Sequence, residues 1–318
     1  MTRPLISFVM FAYRQERFVA EAVRGALEQT YSPLEIILSD DCSPDSTYDV
    51  IRSTVADYDG PHRVILNRND TNLGLVPHFN RVMSMARGEI VVVAAGDDIS
   101  KPWRVERSWR LLTEHPDASM ISFGLGVIDE NGRPRQSAGR SESWLDKIEL
   151  GDYLRHRVGR HTGASRAFRR SLLDRFPPLN PGCPTEDTPY FYRGLVLGAS
   201  YESGEIGVQY RVHGGNVSNP RRIHDMDRKQ ILRQYLDDIR AAARQEIISS
   251  EQAHAMRRLA GLDYQRRRLA AGLHHAASKP RYFASHVLCS RVYGAREKIR
   301  MLGGPLVARL RRITGRRS

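Results

Sequence analysis

The sequence predicts an α/β fold: an open, mostly parallel sheet with helices on both faces, followed by a helical C-terminal region. Two observations predict it. Over the first hundred residues, apolar runs of strand length alternate with segments whose apolar residues recur at helical spacing. That is the rhythm of a parallel sheet covered on both faces. After about Ile223 the pattern is helical almost throughout and rich in Arg. A boundary near 220 therefore divides a sheet domain, 1–220, from a helical, basic extension, 221–318.

The elements follow in order. Leu5 to Phe11 is an apolar run bounded by Pro4 and Arg14, and reads as a buried strand. From Arg17 to Gln29, Phe18, Val19, Ala22, Val23, Ala26 and Leu27 mark one helical face, which Tyr31-Ser32-Pro33 ends. Leu34 to Ser39 is a second strand. It runs into Asp40-Asp41-Cys42-Ser43-Pro44-Asp45, turn formers that also cap a helix over Thr47 to Tyr58. Arg63 to Leu66 is a short strand, Asn67 to Gly74 a polar loop, and Val76 to Ala86 a helix. Glu89 to Ala95 is the most apolar strand, and it stops at Gly96-Asp97-Asp98. Beyond it the spacing predicts a helix over Trp103 to His115 and a strand over Ser119 to Phe123. A turn at Glu130-Asn131-Gly132 precedes a strand over Ser165 to Phe168 and a helix over Arg170 to Arg175. A Pro- and Gly-rich loop, Pro177 to Pro184, leads to a helix over Asp187 to Leu197. The last predicted strand is Val208 to Val212, followed by His213-Gly214-Gly215-Asn216.

Composition narrows the function classes. Hydrophobic residues make up 41% of the 318, enough for an ordinary globular core. Cys42, Cys183 and Cys289 form no CxxC pair and no disulfide framework, so a reducing, cytoplasmic setting is expected. Nothing near Met1 has a secretory signal pattern, and no apolar stretch reaches the ~20 residues of a membrane span. There is no Walker A loop, no GxGxxG after the first strand, no HExxH and no GxSxG. P-loop kinases, dinucleotide oxidoreductases, zincins and α/β-hydrolases are thereby disfavoured. Of the net +13 charge, +9 falls between Pro280 and Ser318, where ten Arg or Lys accompany one acid, Glu297. The basic residues are not interleaved with a nucleic-acid-binding module, so no nucleic acid is expected as partner.

In open parallel sheets, ligands bind at the carboxyl ends of the strands. Three predicted strands end in ligand-type groups: Tyr13, Asp40 with Asp41, and Asp97 with Asp98. Adjacent carboxylates repel, and a hard divalent cation relieves the repulsion. Mg²⁺ or Mn²⁺ binds one or two carboxylates plus substrate phosphates. The same Asp97-Asp98 pair also reads as the cap of the helix after Pro102. Asp40 and Asp41 either accept from the N3–H of uracil or thymine, or cap the next helix. Asp187, after Thr185-Glu186, is either a helix cap or a general base. Arg211 and His213 fall on one side of an extended chain, so Arg211 can face a phosphate and His213 a metal. Asn216-Val217-Ser218 is a glycosylation sequon without meaning in a cytoplasmic setting.

Together these pieces resemble the family 2 glycosyltransferases of the GT-A fold. The carrying residues are Pro4 to Tyr13, Ala26 to Tyr31, Leu34 to Asp41, Asn72-Leu73-Gly74, Ala86 to Glu89 and Gly96-Asp97-Asp98. Thr185-Glu186-Asp187 and Tyr210 to Ser218 complete the ordered set. The match covers about 1 to 220, which it makes the catalytic domain. The resemblance implies an inverting transfer from a nucleoside-diphosphate sugar, with UDP or dTDP favoured, to an acceptor hydroxyl. It also implies work in bacterial-type surface polysaccharide or glycolipid assembly, on a saccharide or lipid-linked saccharide. Ala12, Tyr13, Asp40, Asp41 and Asp97 are then expected at the nucleotide. Asp97, Asp98 and His213 are expected at Mg²⁺ or Mn²⁺, and Arg211 at the diphosphate. Asp187 is expected as the base, with Glu186 beside it. Two positions depart from the family pattern: Arg14 stands where Asn is common, and Ala95 where another acid often stands.

The basic tail carries apolar stripes, Tyr282, Phe283, Val287, Leu288 and Val292, then Ile299, Leu302, Leu306, Val307 and Leu310. Such a stretch either lies on an anionic membrane, at the inner face of the cell membrane, or forms a helical appendage that is solvated or builds a homo-oligomer. Two other functions remain open on sequence: a sugar nucleotidyltransferase, and a non-enzymatic basic protein binding nucleotide or nucleic acid.

Overall fold

The apolar runs become the parallel half of one sheet. β1 (Ile6–Ala12), β2 (Leu34–Asp40), β3 (Arg63–Arg68) and β4 (Ile90–Ala95) lie in the order β3-β2-β1-β4, all parallel. Register is unbroken: Ile6 pairs with Leu34 and Ile90, and Ala12 with Asp40. These strands therefore end level with one another. Alternate residues serve opposite faces. Ile6, Phe8 and Met10 join Ile36, Leu38 and Val92 in a core with α1 (Val19–Leu27), α2 (Thr47–Val55) and α4 (Arg104–Glu114). On the other face Phe11 stacks on Phe79 of α3 (Leu75–Met85), ring centroids 5.4 Å apart. Phe8, Ile36 and Val92 are fully buried, and each contributes about 1.5–3 kcal/mol of hydrophobic free energy.

The computed structural model describes residues 3–135, 144–156, 163–216 and 226–276. Its distal half is mixed rather than parallel. β8 (Ala167–Arg169) pairs antiparallel with β4 and with β6 (Ala118–Ile128). β9 (Ala199–Arg211) runs parallel to β6, and its far side takes β5 (Ile99–Ser100) and β7 (Leu145–Ile148), both antiparallel. α5 (Leu150–His156), α6 (Ser171–Asp174) and α7 (Asp187–Leu197) connect these strands. α7 spans the residues that the periodicity predicts. β9 is far longer than the predicted Val208–Val212, because Glu202, Gly204, Glu205 and Gly207 interrupt the apolar pattern of a strand held by three neighbours. β6 likewise runs past Phe123 through Gly124 and Gly126. β5, β7 and α5 carry no apolar periodicity strong enough to predict.

Contacts divide the chain into two compact units, Met1–Ala255 and Met256–Ser318. The first includes α8 (Arg228–Arg244), locked to α7 where Arg193 meets both carboxylate oxygens of Asp238 at 2.7 and 3.1 Å, all of them buried. α9 (Ser250–Ala276) begins in the first unit, and its remainder is the described part of the second. Among the described residues no helix is long and apolar enough to cross a membrane. The tail stripes from Tyr282 to Leu310, Cys289 and the Val217-Ser218 end of the sequon lie outside the described residues.

Candidate active site

The level ends of β1, β2 and β4 open into a cleft of about 1230 Å³. Its wall brings together Ala12, Tyr13, Asp41, Asp97, Asp98, Glu186, Asp187 and His213. Asp40 and Arg211 are absent from it.

The Asp97-Asp98 turn is built by two ladders. Gly96 N–H donates to Phe11 O at 2.8 Å, which extends β4 along β1 by one residue. β5 then pairs Ile99 with Gln209 and Ser100 with Val208, which carries the end of β9 alongside. His213 thereby reaches Asp97, with Nε2 2.9 Å from Oδ2. Gly215 N–H donates to His213 Nδ1 at 3.1 Å, so the neutral ring carries its proton on Nε2 and donates it to Asp97. The Phe18 ring packs 4.6 Å from the imidazole and fixes its plane. Asp98 Oδ1 accepts Arg211 N–H at 2.9 Å, while Oδ2 is buried with no partner. Burial first, then the Asp97 charge, pushes the Asp98 carboxyl up to about 8; the Arg211 N–H and the Arg104 and Arg211 charges pull the other way.

Arg211 sits elsewhere than expected. Instead of facing a phosphate it is fully buried. Its Nε–H donates to Asp97 O at 3.0 Å, Nη1 to the carbonyls of Glu130 and Asp129 at 3.3 and 3.4 Å, and Nη2 to Glu21 Oε2 at 3.1 Å. It brackets the turn from behind. Asp40 is likewise spent on structure: Oδ1 takes the Ser43 hydroxyl at 2.5 Å and Oδ2 the Ser43 N–H at 2.9 Å, closing the turn after β2.

Asp41 lies in the cleft but is heavily engaged. Oδ1 accepts from Asn69 Nδ2 at 2.8 Å and Leu73 N–H at 2.9 Å; Oδ2 accepts Gly74 N–H at 2.9 Å. It pins the loop that enters α3, where Gly74 takes φ 82, a conformation that favours glycine. Tyr13 is 40% exposed at the mouth. Arg14 follows it at φ 55, in the left-handed region that Asn enters more readily than Arg.

Asp187 opens α7, where the helix dipole favours its charge. Its Oδ1 accepts from Thr185 Oγ1 at 2.5 Å and from Thr188 N–H at 2.6 Å. Glu186 is clamped by the buried Arg166, Nη2 to Oε1 2.6 Å. Burial raises the Glu186 carboxyl against the Arg166 charge that lowers it.

The cleft also holds residues that the sequence did not announce, chiefly Phe11, His78 and Phe79. His78 is 4% exposed. Burial lowers its pKa from 6.5, against the raising charges of Asp41 and then Asp40. On an amphipathic helix it reads as a core position, and only its pairing with Ser39 across 39 residues places it at the site.

Among the described residues no three His, Cys, Asp or Glu side chains form a preformed metal cluster. The oxygen donors present, Asp97 steadied by His213 and the unpartnered Asp98 Oδ2, supply part of a shell. They suit a cation completed by phosphate and water.

The family model for glycosyl transferase family 2 matches residues 7–176. The chain belongs to that family. It is 35% identical over 129 residues to the putative glycosyltransferase EpsE of Bacillus subtilis, which is 41% of this chain and 46% of EpsE. It is 26% identical over 227 residues to an uncharacterised glycosyltransferase of Nostoc sp., 66% of each. The match thus spans less than half the length of EpsE. Among solved structures, S. aureus TarS 1–349 in complex with UDP-GlcNAc superposes with a TM-score of 0.59 at 16% identity, over 95% of this chain and 81% of that one. The mannosyltransferase PcManGT from Pyrobaculum calidifontis, in complex with GDP-Man and Mn²⁺, gives 0.53 at 17%, over 99% and 89%. These likenesses show the GT-A fold. The family match favours a glycosyltransferase over the nucleotidyltransferase and non-enzymatic readings.

Proposed function

We propose that the chain transfers a sugar, with inversion, from a nucleoside-diphosphate sugar to an acceptor hydroxyl, in the assembly of a surface polysaccharide or glycolipid of bacterial type. The observation that carries this reading is convergence: Tyr13, Asp41, Asp97, Asp98, His213 and Asp187, spread over 200 residues, line one cleft at the strand ends. Structural neighbours bound to UDP-GlcNAc and GDP-Man support a nucleotide-sugar donor.

The chain's own groups divide the work. Asp187 takes the proton of the acceptor hydroxyl, whose oxygen attacks the anomeric carbon from the face opposite the leaving group. The bond to the diphosphate oxygen breaks, and the nucleoside diphosphate departs. Thr185, Thr188 and the helix start hold the Asp187 carboxylate oriented. Asp97, with Asp98 and His213, would hold Mg²⁺ or Mn²⁺, which supplies Lewis-acid stabilisation to the leaving diphosphate when bound. UDP or dTDP is favoured, the acceptor is a saccharide or lipid-linked saccharide, and the reaction proceeds in the cytoplasm at the inner face of the membrane. The 280–318 tail is the proposed contact with anionic lipid.

The test is nucleoside diphosphate release from a panel of nucleotide sugars with Mn²⁺. Asp187→Asn is expected to lower kcat by about 10²–10⁴ while UDP affinity stays within a factor of three. A variant with wild-type kcat on the true acceptor would remove Asp187 as the base.

A further inference from the structure

Resting on the donor reading above, we propose that His78 reads the donor's nucleobase. It selects bases that present a carbonyl beside an N–H, namely uracil, thymine and guanine, over cytosine and adenine.

The hydrogen-bond network assigns the protons. Asn67 Nδ2 donates to Ser39 Oγ at 2.9 Å, and Ser39 Oγ lies 2.7 Å from His78 Nε2. Among the described residues, the Ser39 hydroxyl proton finds no acceptor other than that nitrogen. Nε2 is therefore the acceptor, and the neutral ring carries its proton on Nδ1. Burial keeps the ring neutral against the Asp41 and Asp40 charges. No protein group among the described residues accepts from Nδ1. His78 is nine-tenths buried and lines the cleft, held edge-on to Phe11 with centroids 5.4 Å apart. Nδ1 is not among the fully buried atoms, and with His78 lining the cleft this N–H is open to a ligand carbonyl there.

Asp41 supplies the complement. Its Oδ1 already serves two donors, but Oδ2 serves only Gly74 N–H and keeps one lone pair. A donor on His78 and an acceptor on Asp41 thus border the same end of the cleft. The C4 carbonyl and N3–H of uracil or thymine meet both demands. The C6 carbonyl and N1–H of guanine do the same. Cytosine and adenine present an amino group and a bare ring nitrogen there, so donor meets donor and acceptor meets acceptor. A site built to hydrogen-bond a ligand group rejects the analogue lacking it more strongly than an apolar pocket does.

The experiment is calorimetry of the full chain with Mn²⁺ and UDP, dTDP, GDP, CDP and ADP. UDP and CDP differ only at the two atoms in question. CDP and ADP are expected to bind at least about tenfold more weakly than UDP. His78→Leu, with its fold checked by circular dichroism, is expected to bring the UDP and CDP affinities within about threefold of each other. Equal binding of UDP and CDP by the wild type overturns the proposal and leaves the donor reading standing. So does an unchanged UDP-to-CDP ratio in folded His78→Leu. Binding of none of the five nucleotides overturns the donor reading and the proposal together. If His78→Leu fails to fold, His78→Phe, which keeps a ring against Phe11 and lacks the N–H, is measured in its place and read the same way.

Discussion

Replacing Arg211 by Met separates two roles for the same side chain. A phosphate-facing arginine would cost affinity when lost; a buried bracket costs stability. Met keeps most of the apolar stem, so the loss is concentrated in the head group. The Asp97 carbonyl loses a 3.0 Å partner inside the protein, a desolvation penalty of about 1–3 kcal/mol. The contacts to the Asp129 and Glu130 carbonyls are longer, 3.4 and 3.3 Å, and add less. The Glu21 side chain is 42% exposed, so screening holds that ion pair to under about 1 kcal/mol. The cation over the Phe18 ring, 5.1 Å from its centroid, adds about 0.5–1 kcal/mol. The expected destabilisation is about 3 kcal/mol, or roughly 6–12 °C in Tm for a unit of this size. Urea unfolding reads the first quantity. Calorimetry of UDP against uridine in EDTA reads the second, because the diphosphate is the only difference and no cation contributes. The bracket predicts lost stability with the UDP-to-uridine affinity ratio unchanged. A variant within about 0.5 kcal/mol of wild type that loses UDP affinity but keeps uridine affinity would refute it and return Arg211 to the diphosphate.

Three further outcomes are expected. Asp97→Asn removes the carboxylate that His213 holds and that the proposed cation would share, so Mn²⁺ titration should show binding at least about tenfold weaker, with chelation of wild-type protein by EDTA abolishing sugar transfer. Arg14→Asn relieves a left-handed backbone at φ 55 and should raise stability by up to about 1 kcal/mol in urea unfolding, since Asn enters that region at lower cost. For His78 the folded pKa lies below 6.5, so the unfolded chain takes up a proton that the folded protein refuses. Its contribution to stability is present above pH 6.5 and is lost as pH falls through that value. Asp98, shifted upward, has the opposite sign. It is common to wild type and His78→Leu, so the difference between their stability–pH curves below about pH 6.5 isolates the histidine.

The parallel half of the sheet was legible because its signals are local. Val91, Val92 and Val93 form a run buried on both faces, and such a run reads as a strand wherever it stands. Asp97 and Asp98 were placed at its end by the same run, and Asp187 at the start of α7 by helical spacing alone. β9 was legible only at its apolar end. Its buried Glu202 and Ser203 and its glycines carry no periodicity, and what makes them a strand is β6 on one side and β5 and β7 on the other. Partners of that kind lie far along the chain and leave no mark in a local window.

Arg211 and His213 part company at the end of β9. Two residues apart on an extended chain, they should share a face. That alternation belongs to the strand, and β9 ends at Arg211. Past it, His213 N–H donates to Asn216 Oδ1 at 2.6 Å and the chain folds into a turn, with Asn216 Nδ2 returning a bond to Arg211 O at 2.9 Å. The turn swings the imidazole toward Asp97 Oδ2, while the guanidinium stays on the sheet side against the Asp97 carbonyl and Glu21, 190 residues away in sequence. The two side chains thus hold Asp97 from opposite directions, one at its carboxylate and one at its backbone. The acid pair that also reads as a helix cap is therefore held at both its chain and its charge, an arrangement that suits the cation site proposed above.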